Sequence, residues 1–432
     1  MEHTHRVPTC AVVTAKFANY VARDTESHGM PLRYAYPPYP VGWMSKQILR
    51  GYVEGNDPVT GAPLMQEMVD ALTQPLTNDE KNPKVLKRPK RPRLLKTDTV
   101  ENYKRMFIEN GWTDGMPIEL PTEEKVAEML TGTDHPPDEV VGRMSVTTHE
   151  ERYEYTVEKV AVNAVMAGAR PEHFPVILAL AASQEPSMPS STTSFGRMVI
   201  VNGPIRNQIA INCGAGAFSP FNFANSVIGR AYTLMSFNFG NARINENFTA
   251  TFGNVTNYNN MFAGENEELS PWTPFHVEKG YKPEESTVSL FRGWDVNHLG
   301  MSIGQMRTAD RMADAMNGLQ SMIPGGTFII DPLVAKNLKE QEGFKTKEDF
   351  RQWMLEKIKK PAGPFPMRPS AVNIVVVGGE WNPMFTTTDF TYTQTISIDK
   401  WIPKKGIRFD AKPIRMPAPV SCKDGSCGIR NP

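Results

Sequence analysis

Two hydrophobic rhythms alternate along the chain. Short apolar, β-branched runs at 7–14 (VPTCAVVT), 197–202 (RMVIVN), 286–291, 326–331 (GTFIID) and 371–377 (AVNIVVV) predict buried strands. Between them apolar residues recur at helical spacing. This predicts helices over 15–28, 44–54, 63–73, 98–110, 122–130, 151–168, 171–183, 218–239, 305–320, 332–341 and 346–359. Glu123 and Glu124 suit a helix N-terminus after Thr122, and Pro171 opens the next buried helix. Strands alternating with helices predict an α/β fold. The chain is expected to have no internal repeat and no low-complexity tract.

Punctuation divides the chain. Residues 1–75 read as a partial, Rossmann-like α/β segment, with too few strands to close a sheet alone. Residues 76–97 read as a basic, Pro-rich linker. Its core, KVLKRPKRPRLLK, reads as an extended solvated tether or docking arm rather than a nucleic-acid patch. Residues 98–415 form a large mixed α/β domain. Residues 416–432 are a cysteine-containing tail.

Composition narrows the function classes. Lys+Arg and Asp+Glu are both 47 in 432 residues, so the formal net charge is zero. That excludes a globally basic nucleic-acid binder and leaves little repulsion between copies. No apolar run is long enough for a membrane span, and the first residues lack a signal core. Four cysteines, Cys10, Cys213, Cys422 and Cys427, are too few for a disulfide scaffold. The expectation is a cytoplasmic, oligomeric enzyme or enzyme subunit acting on a small molecule.

Three stretches carry candidate chemistry. The first, VIVNGPIRNQIAINCGAGAF (199–218), runs from a strand into a Gly-rich loop. Asn202, Arg206, Asn212, Gly214 and Gly216 are its candidate substrate-binding residues, with Arg206 placed to grip an anion. Cys213 is a candidate nucleophile if its thiol is acidified. The second, GENEELSPWTPFHVEK (264–279), gathers Glu265, Glu267, Glu268, Trp272, His276 and Glu278. Glu265 or Glu268 with His276 could serve as acid and base, or hold a divalent metal, while Trp272 would line the site. No metal-binding signature supports that metal, and no cofactor is otherwise indicated. The third, SCKDGSCGIRNP, places Cys422 and Cys427 in a pliable tail suited to thiol exchange. His135 and His149 read as solvated, and His28 and His173 as ordinary helix contacts. His298 is a reserve acid–base candidate.

The stretches VPTCAVVTAKF and ESHGMPLRYAYPPYPVGWMSKQ resemble the second half of the UGSC-type domain, named for a selenocysteine-or-cysteine, Gly, Ser, Cys motif. The large domain resembles long proteins linked to that family, through TDGMPIELPTEEKVAEML (113–130), TVEKVAVNAVMAGARPEHFPVILA (156–179), VNGPIRNQIAINCGAGAF (201–218), ENEELSPWTPFHVEKGY (265–281) and NIVVVGG (373–379). The family's motif precedes the stretch matched by residues 7–14 and is not in the sequence. Asp424-Gly425-Ser426-Cys427 echoes it, with Asp at the reactive position. The resemblance implies thiol or selenol chemistry, reductive or lyase in type. It also implies a second subunit that carries the missing half-domain and shares the active site. The alternatives are a metal-assisted hydratase or hydrolase using Glu and His, and a non-catalytic scaffold subunit.

Overall fold

The computed structural model describes residues 2–27, 29, 31–83, 92–144, 154–244, 248–301, 307–319, 325–358 and 371–407. The fold is α/β. In the N-terminal unit, β1 (Ala11–Val12) pairs in parallel with β2 (Tyr34–Ala35), with the helix Ala18–Ser27 between them. The expected strand at 7–14 is thus only two residues long. The unit is fastened by buried polar groups. Asp57, fully buried, accepts the Tyr36 N–H at 2.6 Å. Arg33 pairs with Glu80 at 2.6 Å and donates to the carbonyls of Ala71, Gln74 and Pro75. The start of the expected linker is therefore folded back onto this unit. Thr77 and Glu80 form a capping box on the short helix Asn78–Lys81. Residues 84–91 of the basic stretch lie outside the described residues. Arg93 just beyond them pairs with Glu158 at 2.7 Å and with Glu123 at 3.2 Å, so this end of the stretch docks on the body.

Beyond a small antiparallel pair, β3 (Val140–Arg143) with β4 (Glu154–Thr156), the body is built on two four-stranded sheets. The first contains β5 (Gly196–Asn202), β6 (Phe262–Gly264) and β7 (Thr287–Gly293). The chain then supplies β8 (Val296–Met301), β9 (Gly326–Ile330), β10 (Val372–Val376), β11 (Met384–Thr388) and β12 (Thr391–Ser397). The orders are β12-β7-β5-β6 and β8-β11-β9-β10.

These two sheets are topological copies. In each, a central strand (β5 or β9) is parallel to one neighbour, reached through helices (β6 or β10). It is antiparallel to the other (β7 or β11), which pairs with an antiparallel outer strand. The outer strands are exchanged: β8 follows β7 in sequence but joins the second sheet, and β12 follows β11 but joins the first. The chain therefore does contain an internal repeat, visible in topology and not in sequence. The two crossing corners are clasped by buried Asp389, whose carboxylate accepts the N–H groups of Trp294 and Asp295 at 2.9 and 2.8 Å.

Alternation along the strands gives four layers. Val199, Val201, Val288 and Leu290 face the helices Val157–Met166, Phe174–Ala182 and Phe223–Asn238. Met198, Ile200 and Phe291 face the opposite way, against Ile329 and Val375 of the second sheet. Phe328, Ile330, Ile374 and Val376 then bury the helices Thr308–Gly318, Pro332–Glu340 and Lys347–Lys357. Each sheet is covered on both faces, which is why β5, β9 and β10 read as continuous apolar runs. No helix among the described residues is long and apolar enough to cross a membrane.

Candidate functional site

Strand direction brings the first two candidate stretches together. At one end of the first sheet, β5 runs out into Asn202 and Gly203, β6 into Glu265, and β12 toward Asp399, while β7 enters from Ser286. Gly203 makes the turn with φ +85°, and a Cβ there would stand 2.2 Å from the Glu285 carbonyl oxygen, so only glycine fits.

Glu265 is fully buried in this end. One carboxylate oxygen accepts Asn202 Nδ2 at 2.7 Å and the Phe275 N–H at 2.6 Å. The other accepts Lys347 Nζ at 3.1 Å. Lys347 also stands 3.4 Å from Glu278, which Arg351 grips through both carboxylate oxygens at 3.1 Å. Glu267 accepts Asn202 Nδ2 and the Gly203 N–H, each at 2.8 Å. Arg206, also buried, donates to the carbonyls of Gly203 and Glu265, forms a fork with Glu268 at 3.1 Å and pairs with Glu267 at 3.0 Å. Burial acts to raise the Glu268 carboxyl, but hydrogen bonds from Arg206 and Asn207 outweigh it and hold it at about 2. Arg206 therefore serves the protein's own carboxylates and has no fork left for an external anion.

The Gly-rich loop lies against this network. Gly264 fits closely between Arg206 and Cys213: a Cβ there would meet their carbons at 3.1 and 3.2 Å. The Cys213 carbonyl accepts the Gly378 N–H at 2.9 Å, tying the loop to the segment after β10. Three asparagines pin it. Asn212 accepts from the Gly214 N–H and donates to the Ala215 carbonyl. Asn222 donates to the carbonyls of Gly216, Ala217 and Ser219, and Asn225 to those of Asn212, Ala217 and Phe262. Residues 218–222 thus belong to the loop, and the expected helix over 218–239 begins only at Phe223. Burial pushes the half-buried Cys213 thiol up, and Arg206 offsets this only in part, so the thiol is held protonated rather than acidified.

His276 caps the same end but is sealed, with no exposed surface and neither ring nitrogen hydrogen-bonded among the described residues. Two further groups at this end of the sheet share this condition. Asn202 Oδ1 and Thr287 Oγ1, on residues directly opposite each other across β5 and β7, are also buried and unpaired. Trp272 leaves the site entirely: its ring belongs to the core of the second sheet and its indole N–H donates to the Phe344 carbonyl. His135 is half-buried between Glu139 and the Lys400 carbonyl rather than solvated. Cys422, Cys427, His28 and His149 lie outside the described residues, as does the side chain of His298.

Chemically, the cluster is an ion network of Glu265, Glu267, Glu268 and Glu278 with Arg206, Lys347 and Arg351. Each carboxylate is occupied by a cation or an amide donor, which leaves no open set of ligands for a divalent metal. Among the described residues no three His, Cys, Asp or Glu side chains gather as a metal site. Sequence reasoning missed Lys347, Arg351 and the pinning asparagines Asn222 and Asn225. Only the density of Asn in 202–225 hinted at a hydrogen-bonded loop. No protein-family model, curated protein or solved structure matches the chain.

Proposed function

We propose that the protein is a partner-dependent subunit of a thiol- or selenol-dependent enzyme, with its N-terminal unit as the docking face for the second chain. One observation carries the partner half of this reading. Of the 24 large apolar side chains that stand exposed among the described residues, 12 fall between Val7 and Leu72. Trp43 is 94% exposed, with Val12 on β1 at 53%. A two-stranded sheet with open edges beside that many apolar groups invites strands from another polypeptide. Tyr20 holds the unit to the body through a 2.9 Å hydrogen bond to Ser190.

The chemical half rests on the resemblance to UGSC-type proteins. In this chain the Asn-pinned loop at Cys213 is the element that would present a fixed surface to a partner's reactive chalcogen. Pre-ordered groups of this kind suit a shared site. The test is a pull-down from the native host with Trp43→Ser and Val12→Lys variants. A specific second polypeptide retained by the wild type and lost by both variants, with their melting temperatures unchanged, supports the reading. Equal recovery by all three proteins overturns it.

A second reading, a non-catalytic scaffold subunit, is favoured by the protonated Cys213 thiol and the sealed His276. Turnover by the isolated chain would exclude it.

A further inference from the structure

The opposite end of the first sheet carries a cation that no carboxylate pairs with among the described residues. Arg292 on β7 stands directly opposite Arg197 on β5 in the antiparallel register. Like charges in that position repel. Arg197 is answered: its Nη1 lies 2.5 Å from Glu185 and its Nε donates to the Pro186 carbonyl at 3.0 Å. Glu185 is then filled, since it also accepts Thr393 Oγ1 at 3.1 Å and Gln394 Nε2 at 2.8 Å.

Arg292 has no such answer. Its Nε is buried without a hydrogen-bond partner, and no carboxylate pairs with its guanidinium among the described residues. The guanidinium carbon lies 5.1 Å from the centre of the Phe195 ring, which in turn packs on Trp294 at 5.7 Å. Both rings are half-exposed. Burial and the neighbouring Arg197 push the Arg292 pKa down, and the attraction of the already occupied Glu185 offsets this only in part, yet a guanidinium stays charged at neutral pH. A half-buried, unpaired cation is unfavourable until an anion reaches it.

We propose that Arg292, walled by Phe195 and Trp294, is the anchor of a binding site for a small oxyanion, a carboxylate or a phosphate. Arg292 supplies a charge-assisted fork. The two rings, tilted at 50° to each other, supply an apolar wall, and either face favours an anion carried on a planar group. The site is separate from the Glu265 network, where Arg206 is already consumed, and it does not depend on the function proposed above.

The test is thermal unfolding of the full chain at fixed ionic strength, with chloride exchanged for acetate, benzoate or inorganic phosphate. Wild type should gain a saturable rise in Tm, roughly 3 °C at a hundredfold excess over Kd. Benzoate exceeding acetate identifies a planar carboxylate as the ligand, and a response to phosphate alone identifies a phosphate. Arg292→Gln should melt higher than wild type without the anion, because the unpaired charge is gone, and should lose the anion response. Should that variant fail to fold, Arg292→Lys, which keeps the charge but not the fork, should retain less than half of it. No rise with any of the anions, or an undiminished rise in the variant, overturns the proposal.

Discussion

Lys347 Nζ lies 3.1 Å from Glu265 Oε1, and neither side chain has more than 1% of its surface exposed. Glu265 follows β6 in the first repeat, and Lys347 opens a helix of the second. The pair is thus an ionic bolt between the two halves of the body. A buried pair adds little net stability when intact, because desolvation offsets attraction, but a lone buried charge is severe. Lys347→Met should therefore destabilise by roughly 3–5 kcal/mol. Adding Glu265→Gln to it should restore part of the loss. Chemical denaturation of both variants gives the comparison, and additive losses would contradict the coupling.

Asn202 Oδ1, Thr287 Oγ1 and both His276 nitrogens are buried with no partner among the described residues. Buried polar atoms of this kind are ordinarily answered by bound water. Thr287→Val tests this by its sign. Removing a hydroxyl that holds water should cost about 1 kcal/mol, whereas removing an orphaned one is neutral or stabilising. We expect the loss.

His173 gives the acid limb of stability a specific source. It is 2% exposed, and burial, reinforced by Arg170, pushes its imidazole down to about 3. In the unfolded chain it titrates near 6.5, so between these values the unfolded state binds the extra proton. Its contribution is complete above pH 6.5 and is lost as pH falls toward 3. The ring sits beside Phe223 and its Nδ1 accepts the Arg170 N–H. His173→Phe should lower Tm at pH 7 through the lost hydrogen bond. It should also flatten the decline of Tm between pH 6 and 4. An unchanged slope would contradict the assignment.

The Asp389 clasp predicts where the exchanged strands are weakest. Gly293 allows it, since a Cβ there would stand 2.4 Å from the Asp389 carboxylate. Asp389→Ala leaves the part-buried N–H groups of Trp294 and Asp295 without their carboxylate and should cost about 1–3 kcal/mol. Hydrogen exchange should then quicken first in β8 and β12. Uniform acceleration would argue that the corners are not a local unit.

Much of the fold was legible because burial on both faces leaves a strong apolar signature. The run GTFIID yielded β9, and AVNIVVV yielded β10. Asp331 and Thr346 cap the helices that start within one residue of the predicted positions. β11 (MFTTT) and β12 (TYTQTIS) were missed because they are Thr-rich and, in β12, half-buried throughout. β6 has only three residues. The repeat was invisible because its copies share strand order and direction rather than residues. At the site, loop composition revealed Asn202, Arg206, Cys213, Glu265 and Glu268. Lys347 sits 82 residues from Glu265, in a charged helix start that reads as solvated. Trp272 read as a site aromatic because burial by a distant helix layer leaves no local mark.

Native mass spectrometry of protein purified gently and without oxygen from its own host decides whether this chain works with a partner. A partner-dependent subunit gives a complex whose mass is not a multiple of this chain's, containing a second polypeptide that dissociates when Trp43 is replaced by Ser. A spectrum of homo-oligomers alone, unchanged by that substitution, would contradict partner dependence.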